Sequence, residues 1–252
     1  MILSEKINAV PVVDMENFAS IYNENKVIKN TKNSWLYYFD QVSKYKLKDI
    51  YRSQKVIFTS DKRFLNESIS YKENTKKLKY VFKKYIKIDK KLKNIANNFI
   101  KKNFFKKKVL AIHWRGSDMK VSPNHPFPPT KKQILNLADK LIKKKKFNKI
   151  FVITEEKKYL KILKDKYGSM ICCLDSFRLN NRNEFYNSTR QNHRYRLGRD
   201  SIIEAIILSK LSTLICSRSG ISEAAVFMSD NKKYKLYEID NGLNSASIIH
   251  SL

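Results

Sequence analysis

The sequence predicts an α/β protein whose second half is a doubly wound parallel sheet, and three observations carry that prediction. Short apolar runs, VLAIH at 109–113, IFVIT at 150–154 and TLIC at 213–216, have strand length and strand composition. Segments with helical apolar spacing separate them. Polar, loop-forming residues follow each run directly, as they do where strands end at a ligand-facing edge.

The remaining elements follow in order. Residues 130–144 form a helix with Ile134, Leu137, Leu141 and Ile142 inward, residues 159–167 a second helix and residues 170–174 a third strand. Residues 199–211 are helical, TLIC is the next strand, residues 219–228 a further helix, and residues 234–239 close the sheet. Strands alternating with crossover helices imply parallel pairing with both faces covered, a Rossmann-like layout.

Upstream the pattern is looser. Residues 9–14 (AVPVVD) and 55–59 (KVIFT) read as strands, residues 35–39 (WLYYF) as an aromatic packing cluster, and residues 74–108 as one or two lysine-rich amphipathic helices. The expected division is a smaller α/β domain over residues 1–105 and a Rossmann-like domain over 106–252.

No run approaches the ~18 apolar residues of a membrane-spanning helix, and the start MILSEKINAV lacks a signal-peptide layout. The expectation is a cytoplasmic protein. Cys172, Cys173 and Cys216 form neither a CxxC pair nor a Cys/His cluster, so reduced thiols and no metal site are expected. The net charge of +29 raises nucleic acid as a partner. The excess is mostly lysine dispersed from Lys26 to Lys235, which favours a lysine-coated surface, with peripheral contact to an anionic membrane face as an intermediate reading.

Two strand ends carry candidate chemistry. After VLAI stand His113, Trp114, Arg115, Gly116, Ser117 and Asp118. Arg115 offers a forked, permanent charge to a phosphate, Gly116 permits close backbone approach, and Asp118 can orient the arginine or bind a sugar hydroxyl. Read structurally, Arg115 and Asp118 are equally an ion pair and His113 a core histidine. After TLIC, Ser217, Arg218, Ser219 and Gly220 open a helix, where hydroxyls and free N–H groups meet the positive end of a helix dipole. An ordinary N-cap is the alternative. The arginines of residues 175–199 read either as a loop closing over an anion or as a basic insertion.

HWRGSD resembles the H-x-R-G-[T/S]-D or H-x-R-R-x-D element of GT-B fucosyltransferases, the group of nodulation, α-1,6- and protein O-fucosyltransferases. The later order is also similar: NHPFPP, IFVITEE, then GRDSIIEAIILSKLSTLICSRSGISEAA, a match over residues 109–228 with a weaker one at VPVVD and WLYYF. The resemblance implies a GT-B-like fold and inverting transfer of fucose from GDP-fucose to a glycan, glycolipid or peptide acceptor, with no cofactor and no metal. It implies that Arg115 holds the β-phosphate and His113 helps bind the nucleotide. Asp118 would support the sugar, Ser217–Gly220 the phosphate or ribose, and Glu155 and Glu156 would lie near the nucleoside. Some relatives carry a glutamate after the motif as base; here MKVSPN follows, leaving His125 or Asp118 for that role. The short amino end, beside relatives with a further strand and loop there, gives the expectation of an incomplete first domain. Two alternatives stand beside this: a non-catalytic basic nucleic-acid-binding protein, and a degenerate transferase-like protein that only binds a glycan or nucleotide.

Overall fold

The structure, a computed structural model, describes residues 1–58, 75–116, 119, 120, 122–180, 184 and 188–244. The chain divides into two compact units, Met1–Lys93 with Arg194–Arg199, and Asn94–His193 with Asp200–Leu252.

The second unit holds five parallel strands, β1 (Val109–His113), β2 (Lys149–Ile153), β3 (Ile171–Cys172), β4 (Thr213–Cys216) and β5 (Lys235–Glu238), in the order β3-β2-β1-β4-β5. The chain steps outward from β1 to β3, then returns to lay β4 on the other side of β1. The switch point therefore lies between β1 and β4, where His113 pairs in register with Cys216.

The helices after β1, β2 and β4 form as expected, with bounds shifted by one or two residues. Lys131–Lys145 begins after Thr130, whose side chain and that of Gln133 cap each other's backbone. Lys157–Tyr167 and Gly220–Met228 follow β2 and β4. Leu110, Ile112, Ile150 and Val152 alternate toward one face of the sheet, where Ile134, Leu141, Leu160 and Leu163 of the helices after β1 and β2 meet them. On the opposite face Phe99 and Phe104 pack on Phe151 at centroid distances of 5.6 and 5.7 Å. Buried on both faces, β1 reads as one continuous apolar run.

In the first unit the expected strands at 9–14 and 55–59 are not formed among the described residues. The backbone groups of Val13 are taken by side-chain amides: its N–H donates to Gln41 Oε1 (2.9 Å) and its carbonyl accepts from Asn33 Nδ2 (2.8 Å). A segment satisfied in this way needs no ladder partner. Residues 55–58 are exposed coil, with Phe58 on Phe18 at 5.7 Å, and Thr59 lies outside the described residues. The unit is built instead on short helices, α1 (Ile2–Lys6), α2 (Leu47–Ile50), α3 (Thr75–Tyr85) and the start of α4 (Lys90–Phe104), with the aromatic cluster as core. With those introduced, the helices of the second unit are α5 (Lys131–Lys145), α6 (Lys157–Tyr167), α7 (His193–Lys210) and α8 (Gly220–Met228).

The start of α7 at His193, six residues before the expected start, has a specific cause. Residues 194–199 complete the aromatic core: Tyr195 stacks on Tyr38 (5.7 Å, 5°), accepts its hydroxyl proton at the carbonyl (2.9 Å), and donates its N–H to Glu24 (2.9 Å). Gly198 makes this possible, since a Cβ there would lie 2.3 Å from the Tyr38 hydroxyl oxygen and 2.7 Å from its ring. Gly198→Ala gains up to ~1 kcal/mol of helix propensity but overpacks a buried ring at about 1–3 kcal/mol. A net loss is expected, read as a melting temperature lower by several degrees; an unchanged or raised value would overturn this account.

Candidate active site

β1 delivers its carboxyl end to the switch point and β4 delivers Ser217 to Gly220 beside it. The two ends touch. His113 Nδ1 lies 3.3 Å from Ser219 Oγ, joining residues 106 positions apart. Ser219 is the N-cap of α8: its hydroxyl accepts from Ser222 N–H (3.3 Å), its own N–H donates to Ser222 Oγ (3.0 Å), and Ser222 Oγ donates to the Ser219 carbonyl (2.8 Å). Beyond this buried serine pair the helix opens outward, and a Cβ at Gly220 would meet nothing within 4 Å. The N–H groups of Gly220 and Ile221 open the first turn there, at the positive end of the helix dipole.

His113 is 2% exposed, and burial first, then the Arg115 charge, hold its pKa down to about 3. It is a neutral imidazole that sets the position of Ser219, and its bulk lies in the core. Arg115, the second residue past β1, is half-buried. Gly116 is tied inward: its N–H donates to Glu155 Oε1 (2.9 Å). The space its missing side chain leaves is filled by this chain, since a Cβ would lie 2.4 Å from Glu156 Oε1 and 2.5 Å from the Tyr159 ring. The close approach inferred at Gly116 is thus made by Glu156 and Tyr159.

Glu155 and Glu156, expected near a nucleoside, both contact the loop after β1. Glu156 is buried and faces Lys158 (3.0 Å) and Lys120 (3.6 Å). Tyr159 lies flat on Trp114 (4.1 Å, 8°), and the Trp114 indole N–H donates to the Pro129 carbonyl (2.9 Å). Arg218 pairs with Glu223 at 2.7 Å. Ser217 is buried, its hydroxyl 3.8 Å from the Met119 sulfur. Ser117 and Asp118 lie outside the described residues.

His125 sits in a loop whose backbone is laced to residues 242–244. Its carbonyl accepts from Asn244 N–H (2.9 Å), Phe127 N–H donates to the Gly242 carbonyl (2.9 Å), and Asn244 Nδ2 donates to the Met119 carbonyl. Trp114 and Asn244 together fix where this loop runs. The arginines after β3 are likewise anchored. Arg178 donates to the Leu174 (2.7 Å) and Ser176 (3.0 Å) carbonyls, and Arg190 donates to His193 Nδ1 (3.2 Å) while lying 4.9 Å over Phe177. These contacts hold the segment; Arg182 lies outside the described residues.

Tyr159, Ser222 and Glu204 are further residues here to which the strand-end pattern does not point. The Ser219-x-x-Ser222 spacing was a legible capping signal. Glu204 stood out as a lone acid inside SIIEAIILS. It is buried, accepts from Ser176 Oγ (3.1 Å), and has its pKa raised to about 8, by burial first and by neighbouring Asp200 and Glu155 in smaller part. Among the described residues no three His, Cys, Asp or Glu side chains are placed to hold a metal ion, and no helix is long and apolar enough to cross a membrane. Burial pushes the Cys172 and Cys216 thiols up to about 12.

The two buried groups titrate with opposite effect. Below pH 6.5 the unfolded chain protonates His113 while the folded chain does not, until about pH 3, so stability falls with falling pH at about 1.4 kcal/mol per unit. Between pH 4.5 and about 8 the unfolded chain ionises Glu204 while the folded chain keeps the proton, so stability falls as pH rises. Urea melts across pH should show His113→Gln flattening the acid limb and Glu204→Gln stabilising the protein near pH 8. Unchanged limbs in both variants would contradict these assignments.

No protein-family model matches the sequence, and no curated protein matches it. The fold does have solved counterparts. The NodZ α-1,6-fucosyltransferase co-crystallised with GDP superposes with a TM-score of 0.58 at 13% identity, over 95% of this chain and 87% of that one. The same enzyme soaked with GDP-fucose gives 0.56 at 12% identity, over 95% and 91%. A further structure, fucosyltransferase NodZ from Bradyrhizobium, gives 0.43 at 13% identity over 65% of this chain, which there spans about half of its counterpart (51%). The chain has a GT-B fucosyltransferase-like fold.

Proposed function

We propose that this chain, built on the fold of fucosyltransferases crystallised with GDP and GDP-fucose, is an inverting glycosyltransferase that binds a nucleotide sugar at the β1–β4 switch point. The observation that supports the reading is the His113–Ser219 contact of 3.3 Å, which brings the two candidate strand ends together. In doubly wound sheets ligands bind at such a crevice. Departure of a nucleoside diphosphate builds charge on the β-phosphate; Arg115 and the first N–H groups of α8 are the groups that answer it. GDP-fucose is the proposed donor and a glycan, glycolipid or peptide hydroxyl the acceptor. Asp118 and His125 are the two candidate bases, distinguished by comparing the pH–rate profiles of Asp118→Asn and His125→Gln.

A thermal-shift series with GDP, GDP-fucose, UDP and ADP tests the reading. A ligand at a hundred times its Kd adds about 2.7 kcal/mol, a shift of several degrees. A response selective for GDP and GDP-fucose, followed by GDP release with acceptor, is the expected result. A folded protein indifferent to all four nucleotides would refute it, and GDP binding without turnover on any acceptor would leave a binding protein only.

A further inference from the structure

We infer that the outer face of α3 and the turn after it is a docking surface for an anionic bilayer. This goes beyond nucleotide-sugar binding and does not depend on it. α3 buries Val81 and half-buries Leu78 and Phe82. Its exposed residues are Lys76, Lys77, Tyr80, Lys83 and Lys84, spaced by three and four as one stripe, which Lys87, Lys90, Lys91 and Lys93 continue. Residues 75–93 hold nine lysines and a single acid, Asp89. Asp89 is engaged by Lys29 at 2.6 Å, from outside the segment, and Lys84 pairs with Glu5 at 2.5 Å, which leaves the segment with a large excess of positive charge.

Helix stability does not account for this arrangement. Lys83 and Lys84 in the last turn suit the helix dipole, but Lys76 and Lys77 stand in the first turn, which itself holds no acid. An anionic surface facing the stripe reverses this penalty.

Two features favour a bilayer over nucleic acid. None of the nine cations is an arginine, the residue whose fork suits phosphate and base edges. Tyr80, 56% exposed, stands in the middle of the stripe with Lys84 Nζ 5.7 Å from its ring; an aromatic ring among lysines suits the headgroup layer. The stripe also lies on the outside of a helix, where it meets a plane more readily than a groove would accept a strand.

The test is sedimentation of the full chain with vesicles of phosphatidylcholine alone, or with about a third phosphatidylglycerol, at ~0.1 M and ~0.5 M salt. Binding is expected only to the anionic vesicles, and to be lost at high salt. Each lysine at such a surface is worth about fivefold in partition, so the variant K76Q/K77Q/K83Q/K87Q should bind at least about a hundredfold more weakly. That variant leaves the Lys84–Glu5 pair (2.5 Å) in place; its thermal melt and its GDP-induced shift should match the parent's. Equal vesicle binding by parent and variant, equal binding to neutral vesicles, no binding at all, or tighter variant-sensitive binding to an oligonucleotide duplex would each overturn the inference.

Discussion

Arg115→Ala is expected to lower sugar transfer by about a hundred- to a thousandfold, the ~2.7–4 kcal/mol lost when one preorganised donor to a developing oxyanion is removed. The reasoning starts from position. Arg115 follows β1 by two residues at the switch point, its backbone held on one side by Trp114, whose N–H donates to the Ile153 carbonyl (2.9 Å), and on the other by the Gly116–Glu155 hydrogen bond (2.9 Å). With the backbone held at both flanks the side chain starts from a defined position beside the switch point, and its charge meets the charge that develops on the leaving diphosphate. Arg115→Lys keeps the charge but not the fork and should fall between parent and alanine variant. Isothermal titration with GDP and a steady-state assay check both. Turnover and GDP affinity within about threefold of the parent's would remove Arg115 from the mechanism.

Gly116→Ala is expected to damage both fold and site. The new Cβ would sit 2.4 Å from Glu156 Oε1, 2.5 Å from Tyr159 Cε2 and 2.8 Å from the Tyr159 hydroxyl oxygen. Neither neighbour gives way freely. Moving Glu156 breaks its pairing with Lys158 at 3.0 Å and strands a carboxylate whose side chain is 8% exposed. Moving Tyr159 breaks its 4.1 Å stack on Trp114, itself 1% exposed and hydrogen-bonded to Pro129. Overpacking of this kind costs about 1–3 kcal/mol, and each kcal/mol lowers the melting temperature by ~2–4 °C in a chain of this size. Because residue 116 directly follows Arg115, the GDP-induced shift should shrink along with stability. Melts with and without GDP measure the two effects; a variant that melts and responds like the parent would show that the loop repacks without strain.

Much of the second unit was legible because its signals are local. β1, β2 and β4 are apolar runs four or five residues long, and Thr130 with Gln133 and Ser219 with Ser222 mark helix starts within one turn. β3 was read too long: it pairs with β2 only through Ile171 and Cys172, since it ends the sheet and has one neighbour. The first unit was misread where partners are distant. Residues 9–14 have strand composition, yet Val13 finds its partners in Gln41 and Asn33, 28 and 20 residues away, and no composition rule anticipates an amide side chain in place of a strand. The start of α7 was obscured for the same reason: Gly198 reads as a weak helix position until Tyr38 is seen against it.

At the site, the sequence by itself determined that two strands end in anion-binding residue types, Arg115 on one and the Ser217–Gly220 turn on the other, because strand ends and helix caps are written in neighbouring residues. Only the tertiary structure decided that these ends are neighbours. The order β3-β2-β1-β4-β5 brings His113 against Ser219, buries the imidazole in its neutral form, and turns Glu155, Glu156 and Tyr159 onto Gly116. Strand order and desolvation depend on which distant surfaces pack together, and packing between residues a hundred positions apart leaves no period in the chain.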